Sequence, residues 1–110
     1  MTTRLIRICR AEEVEEGSPL PVNVSGLQPL AVYQVGDAYY ATDNLCTHGR
    51  AFLTDGVQEG LTIECPLHGG AFDIASGAPT SLPCRVALNT YVVKQDGDEL
   101  FVAQPEAVTQ

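Results

Sequence analysis

Two short stretches hold the residues best able to do chemistry: Cys46-Thr47-His48-Gly49 and Cys65-Pro66-Leu67-His68-Gly69-Gly70. Each pairs a thiol with an imidazole, and together they use both histidines of the chain and two of its four cysteines. Thiolate and imidazole are donors for soft and borderline metals, and the short spacing within each stretch lets one turn supply two ligands. Gly49, Gly69 and Gly70 follow the pairs, where permissive backbone geometry lets peptide N–H groups approach a bound group closely. Pro66 fixes φ between the second cysteine and its histidine. A lone Cys-x-His reads as a buried structural cysteine beside a satisfied histidine; two such pairs argue for a metal.

Which metal depends on how the donors are distributed. Zinc accepts two cysteines and two histidines, but its usual order places two cysteines on one turn and two histidines after it. Here each stretch contributes one of each. That distribution suits a dinuclear cluster lying between two loops, with thiolates on one iron and imidazoles on the other. A zinc-stabilised interaction module stands as the alternative of another class.

The rest of the chain must position those loops. Short β-rich runs are separated by Gly, Pro, Asn and Asp: 5–8, 20–24, 30–35, 38–43, 61–64, 71–74, 86–94 and 99–103. Val22 and Val24, then Val86, Leu88, Thr90 and Val92, alternate with period two, as half-buried strands do. Gly36-Asp37, within 35–40, and Asp96-Gly97, within 95–100, sit between apolar runs and predict hairpins. Residues 11–17 predict a short helical turn. Strands at this spacing predict an all-β fold, a small antiparallel sandwich or barrel, formed as a single domain over 1–110. Both Cys/His stretches follow strand-like runs, which places two loops at one end of the scaffold.

Charge and hydropathy narrow the partners. Six basic against fourteen acidic residues give a net charge of −8. From residue 11 onward, Arg50, Arg85 and Lys94 alone oppose all fourteen acids, a net of −11. Such a surface repels phosphate backbones, so no nucleic-acid partner is expected. It steers the molecule towards basic patches on proteins. No apolar run approaches the roughly 20 residues that span a bilayer, and residues 1–17 carry charges where a signal peptide has an apolar core. No membrane partner and a cytoplasmic location are expected. In that reducing compartment, cysteines serve metal sites more readily than disulfides.

The pattern Cys-x-His, sixteen intervening residues, Cys-x-x-His resembles that of Rieske [2Fe–2S] proteins, in which two histidines replace two cysteines on one iron. "ATDNLCTH" and "ECPLHGGAFD" look like the small ferredoxins of bacterial aromatic-ring dioxygenase systems, such as those acting on biphenyl or naphthalene, and the similarity covers nearly the whole chain. The resemblance implies the Rieske-type β fold and one [2Fe–2S] cluster, with Cys46 and Cys65 on the inner iron and His48 and His68 on the outer. It implies an electron carrier rather than an enzyme, served by a flavoprotein NAD(P)H reductase and serving a terminal dioxygenase. With both histidines committed to the cluster, none is left for an oxygenase iron site, and no G-x-G-x-x-G fingerprint for a nucleotide is present. Small Rieske-like subunits of nitrite reductases are the nearest redox alternative.

Departures from the respiratory members of the family carry information. Where those proteins have a disulfide between the cluster loops, this chain has Ala51 and Leu67. Where they have a serine and a tyrosine that donate to the cluster region, it has Gly70 and Phe72. Fewer donors leave the reduced cluster less stabilised, so the potential is expected at the low end of the Rieske range, which begins near about −150 mV. Residues 79–85, "PTSLPCR", look like the proline-containing loop that shields the cluster in this family. Cys9 and Cys84 read as core or near-surface thiols without a role. Arg50 reads as a solvated surface residue, and Phe52 and Leu67 as either apolar rim or core.

Overall fold

The computed structural model describes residues 3–47, 51–66, 69–82 and 84–105. Two hairpins organise the larger sheet. Strands β3 (Leu30–Val35) and β4 (Ala38–Asp43) are joined through Gly36-Asp37, with Val35 opposite Ala38. Strands β9 (Thr90–Asp96) and β10 (Glu99–Pro105) are joined through Gly97-Asp98, with Asp96 opposite Glu99. Gly36 and Gly97 have φ of 59° and 60°, which a tight two-residue hairpin requires and glycine alone adopts without steric cost. With β1 (Thr3–Arg10) and β2 (Leu20–Val22), these strands form an antiparallel six-stranded sheet in the order β1-β10-β9-β4-β3-β2. The expected helical turn is a single 3₁₀ turn at Ala11–Glu13.

A second antiparallel sheet, in the order of its chain, comprises β5 (Val57–Glu59), β6 (Thr62–Glu64), β7 (Ala71–Asp73) and β8 (Pro79–Ser81). The all-β expectation holds, and no helix among the described residues is long and apolar enough to cross a membrane. The strands at 30–35 and 38–43 have the expected bounds. β5 and β8 were not expected: they are three-residue edges, too short to show a period. Pro79 opens its edge strand, where no ladder hydrogen bond is forfeited. The run 86–94 is strand only from Thr90. Leu88 is buried in the preceding segment, its N–H bonded to the Gly77 carbonyl at 2.8 Å. Along β9 the inward residues are Tyr91 and Val93 while Val92 is exposed, as is Val86 ahead of the strand. Period two was recognised there, but in the wrong phase, because exposed and buried valines look alike in sequence.

β3 is the wall between two cores. Leu30 and Val32 face Ile8, Val14, Val22, Leu100 and Val102. Ala31 and Tyr33 face Leu53, Ile63, Phe72, Ile74 and Leu88, together with Cys46, Cys65 and Cys84. Burial on both sides explains why Leu-Ala-Val-Tyr is a continuous apolar run rather than an alternating one. Each large aliphatic or aromatic side chain so enclosed contributes about 1.5–3 kcal/mol relative to exposure. Buried polar groups on this wall are paired. Thr42 Oγ1 donates to the Asp43 carbonyl at 2.8 Å, so the Tyr33 hydroxyl must donate to Thr42 Oγ1 at 2.9 Å. Burial pushes the Tyr33 hydroxyl above its ordinary range, with the Thr42 bond opposing.

β1 carries a bulge: Arg7 faces Phe101, yet Cys9 faces Leu100. The extra residue allows the neighbours Ile8 and Cys9 both to point into the core. Burial pushes the Cys9 thiol up from 9.0 to about 11, with Glu13 adding and Arg7 opposing. A raised folded value means stability that is complete below pH 9 and lost as pH rises through 11. Cys9→Ala should therefore flatten the fall in stability between those pH values by about 2–3 kcal/mol. Denaturant unfolding at stepped pH checks this, and equal slopes for variant and native chain would contradict it.

Candidate metal centre

Each Cys/His stretch forms the tip of a hairpin, and the two tips are closed alike. Leu45 bridges Phe52 in antiparallel fashion, and inside that bridge the Cys46 N–H donates to the Ala51 carbonyl at 2.9 Å. Glu64 pairs with Ala71 at the β6–β7 junction, and inside it the Cys65 N–H donates to the Gly70 carbonyl at 2.7 Å. In both, cysteine opens a six-residue loop, 46–51 or 65–70, and bonds to its last residue. The described ends of the two near-copies are closed in the same way. The two thiols share one core and are 3% and 1% exposed. His48 and His68 lie outside the described residues, as do Gly49, Arg50 and Leu67.

Three groups of contacts hold the tips in place. Buried Asn44 anchors the first from below. Its side chain accepts from the Thr54 N–H at 3.0 Å and donates to Thr54 Oγ1 at 3.1 Å, while its N–H reaches the Pro29 carbonyl at 2.8 Å. Asp43, at the end of β4, takes Tyr91 Oη at 2.5 Å and Asn89 Nδ2 at 2.9 Å, tying the entry of the same loop to β9. Gly56 joins the turn after the first loop to the strand before the second: a Cβ there would lie 1.9 Å from the Glu64 carbonyl oxygen.

The segment after β8 closes over these tips. Thr47 Oγ1 donates to the Val86 carbonyl at 2.6 Å. Cys84 is buried with its Sγ 3.9 Å from Cys46 Sγ. Gly70 makes room for it, since a Cβ at Gly70 would stand 2.4 Å from Cys84 Sγ. Burial raises the Cys84 thiol above its ordinary range, and Cys46 and then Cys65 add to the effect. Cys84 is thus a core thiol, as expected, but one set against a candidate ligand. The contacts of Asn44, Gly56, Thr47 and Cys84 escaped the sequence reading, because their partners are remote and no local pattern marks them.

No disulfide joins the four cysteines, and Phe72 is fully buried with no hydroxyl to offer. The surface beside the tips is apolar. Leu45 and Phe52 straddle the first loop at 51% and 46% exposure, and Leu82 and Val86 flank Cys84 at 69% and 64%. Phe52 is therefore rim rather than core. Pro83 lies outside the described residues.

Paired buried thiols at the ends of two matched hairpins define a class of protein. The family model for the Rieske [2Fe-2S] domain matches residues 4–92, and the chain belongs to that family. The ferredoxin component of the naphthalene 1,2-dioxygenase system of Pseudomonas aeruginosa is 44% identical over 102 residues, covering 93% of this chain and 97% of that one. The Sphingomonas yanoikuyae B1 ferredoxin structure is 45% identical, with a TM-score of 0.89 over 93% of this chain and 100% of that one. A structure of the complex of reduced oxygenase and oxidised ferredoxin in carbazole 1,9a-dioxygenase includes a chain that is 43% identical. Its TM-score is 0.84, over 96% of this chain and 97% of that one. A putative NADH-dependent nitrite reductase small subunit from Mycobacterium tuberculosis, 17% identical at a TM-score of 0.82, shares the fold alone.

The family's cofactor is a Rieske-type [2Fe–2S] cluster, and the residues described here fit it. The two thiols are soft donors, buried and backbone-anchored, and no disulfide ties them up. The family match favours iron–sulfur over the zinc reading.

Gly70→Ala should destabilise the protein by about 1–3 kcal/mol, because its Cβ would overlap Cys84 Sγ. In a Cys84→Ala background part of that cost should vanish, a coupling of about 0.5–3 kcal/mol. Unfolding of the four chains of this cycle measures it; additive costs would mean that the overlap is not the cause.

Proposed function

We propose that this chain is a one-electron carrier. It accepts an electron from a flavoprotein NAD(P)H reductase and delivers it to a terminal aromatic-ring-hydroxylating dioxygenase in the cytoplasm. Cys46 and Cys65 hold the inner iron of its cluster, and His48 and His68 hold the outer. The observation that carries this reading is the pair of identically closed hairpin tips that bring two thiols into one buried group beside an exposed apolar rim. Relatives named as ferredoxin components of dioxygenase systems, and one seated on an oxygenase, support the choice of partners.

A cluster held in this place would supply one-electron redox chemistry, and its neutral imidazole ligands would make it easier to reduce than an all-thiolate cluster by leaving it less negative. The chain supplies the rest. Cys46 and Cys65 anchor the buried side, and the core of Tyr33, Leu53, Ile63 and Phe72 beneath them keeps water out. Leu45, Phe52, Leu82 and Val86 form a small apolar contact area that suits a transient encounter. The acidic remainder of the surface steers that encounter towards basic patches on either partner. Gly70 and buried Phe72 offer no hydroxyl, which keeps the centre a weak oxidant and a ready donor.

An anaerobic potentiometric titration of the purified holoprotein, followed in the visible spectrum, tests this reading. A red-brown protein with a one-electron transition near or below about −100 mV is the expected result. A transition well above zero would overturn the low-potential carrier, and a colourless zinc protein would overturn the cluster. His68→Cys, where it assembles, should shift the transition downward by replacing a neutral ligand with a charged one; an unchanged potential would contradict the assignment of His68.

A further inference from the structure

Cys84 stands outside the proposed ligand set, yet the fold goes to some length to hold it against one member. Its Sγ is 3.9 Å from Cys46 Sγ, a contact in which one sulfur acts as a weak donor and the other as a weak acceptor. The Thr47–Val86 bond of 2.6 Å clamps the segment that carries Cys84 onto the first hairpin. The missing side chain of Gly70, whose Cβ would lie 2.4 Å from Cys84 Sγ, leaves room for the sulfur from the side of the second hairpin. The Cys84 N–H is bonded to the Ser81 carbonyl at 3.2 Å, so the backbone beneath the thiol is held as well.

Geometry alone lets either sulfur donate. Chemistry decides between them: a cysteine bound to iron is a thiolate with no proton to give. The proton in the contact then belongs to Cys84. We propose that Cys84 is a positioning residue that donates its S–H to the Cys46 sulfur, fixing that ligand and raising the reduction potential of the centre above the value its two loops alone would give. Reduction adds negative charge that is shared with the ligand sulfurs, and a dipole aimed at one of them stabilises the reduced state more than the oxidised. Among the described side chains around the tips, Gly70 and Phe72 provide no such donor, so the thiol supplies what a hydroxyl would. The inference rests on the reading of Cys46 as a cluster ligand.

The test compares holoprotein with Cys84→Ala and Cys84→Ser in the same potentiometric titration, with cluster content checked by visible and EPR spectra. Cys84→Ala should keep the cluster spectrum and titrate at a lower potential. Cys84→Ser, which restores a donor, should return the potential to the native value or above it. Equal potentials in three intact holoproteins would overturn the proposal while leaving the ligand reading standing. A native chain that assembles no cluster would overturn that reading, and the proposal with it. Should either variant fail to assemble, the infrared S–H band of Cys84 decides, recorded in a Cys9→Ala holoprotein where no other uncoordinated thiol remains. Displacement of the band to lower frequency on reduction supports the donor; a band that does not move overturns it.

Discussion

Two backbone hydrogen bonds, from the Cys46 and Cys65 amides to the carbonyls five residues further on, set the geometry at the tip of this molecule. Each ties its cysteine, at the place where the pairing of the two segments ends, to the segment that returns. Both cysteines are buried in the core that Ala31 and Tyr33 of β3 face. A soft centre needs such an arrangement, because thiolates held apart by flexible loops would cost conformational entropy at each binding event. Here most of that ordering is already done by the fold.

The bonds hold only because the strands behind them are fixed. β3 is buried on both faces, so one strand locks the larger sheet against the core that carries the cysteines. Asn44 and Asp43 transmit that rigidity into the first loop, and the close approach of Gly56 to Glu64 ties the first loop to the second. The third segment adds a lid, fastened by Thr47 to Val86 and wedged by Cys84. The result has a dry floor, an anchored pair of thiols and an apolar lip, each a requirement for moving an electron to a partner without admitting water. The acidic surface works at longer range and bears on the rate of encounter rather than on the site.

The parts of this architecture governed by neighbours in the chain were legible from sequence. Gly36-Asp37 and Asp96-Gly97 announced two hairpins because a tight turn with positive φ leaves few choices of residue, although the second turn itself is made by Gly97 and Asp98. The strands at 30–35 and 38–43 were bounded by those turns. The Cys/His stretches pointed to a metal through donor type and spacing, and the structure places two of those four residues, Cys46 and Cys65, in one core. What escaped depends on distance along the chain. Cys46 and Cys84 are 38 residues apart and Thr47 and Val86 are 39 apart, and nothing local to either member marks the contact. β5 and β8 are made by pairing rather than by pattern, and Val86 carries the character of a core strand while lying on the surface.

The central claim is that two histidines, His48 and His68, share one iron while the buried cysteines hold the other. Pulsed EPR of the reduced protein, prepared with ¹⁵N-labelled histidine in an otherwise ¹⁴N background, measures it directly. The account predicts two distinct ¹⁵N couplings to the cluster spin, one lost in each single histidine substitution that still assembles. No coupling, or only one, would contradict it and require a different set of ligands at the tips of these hairpins.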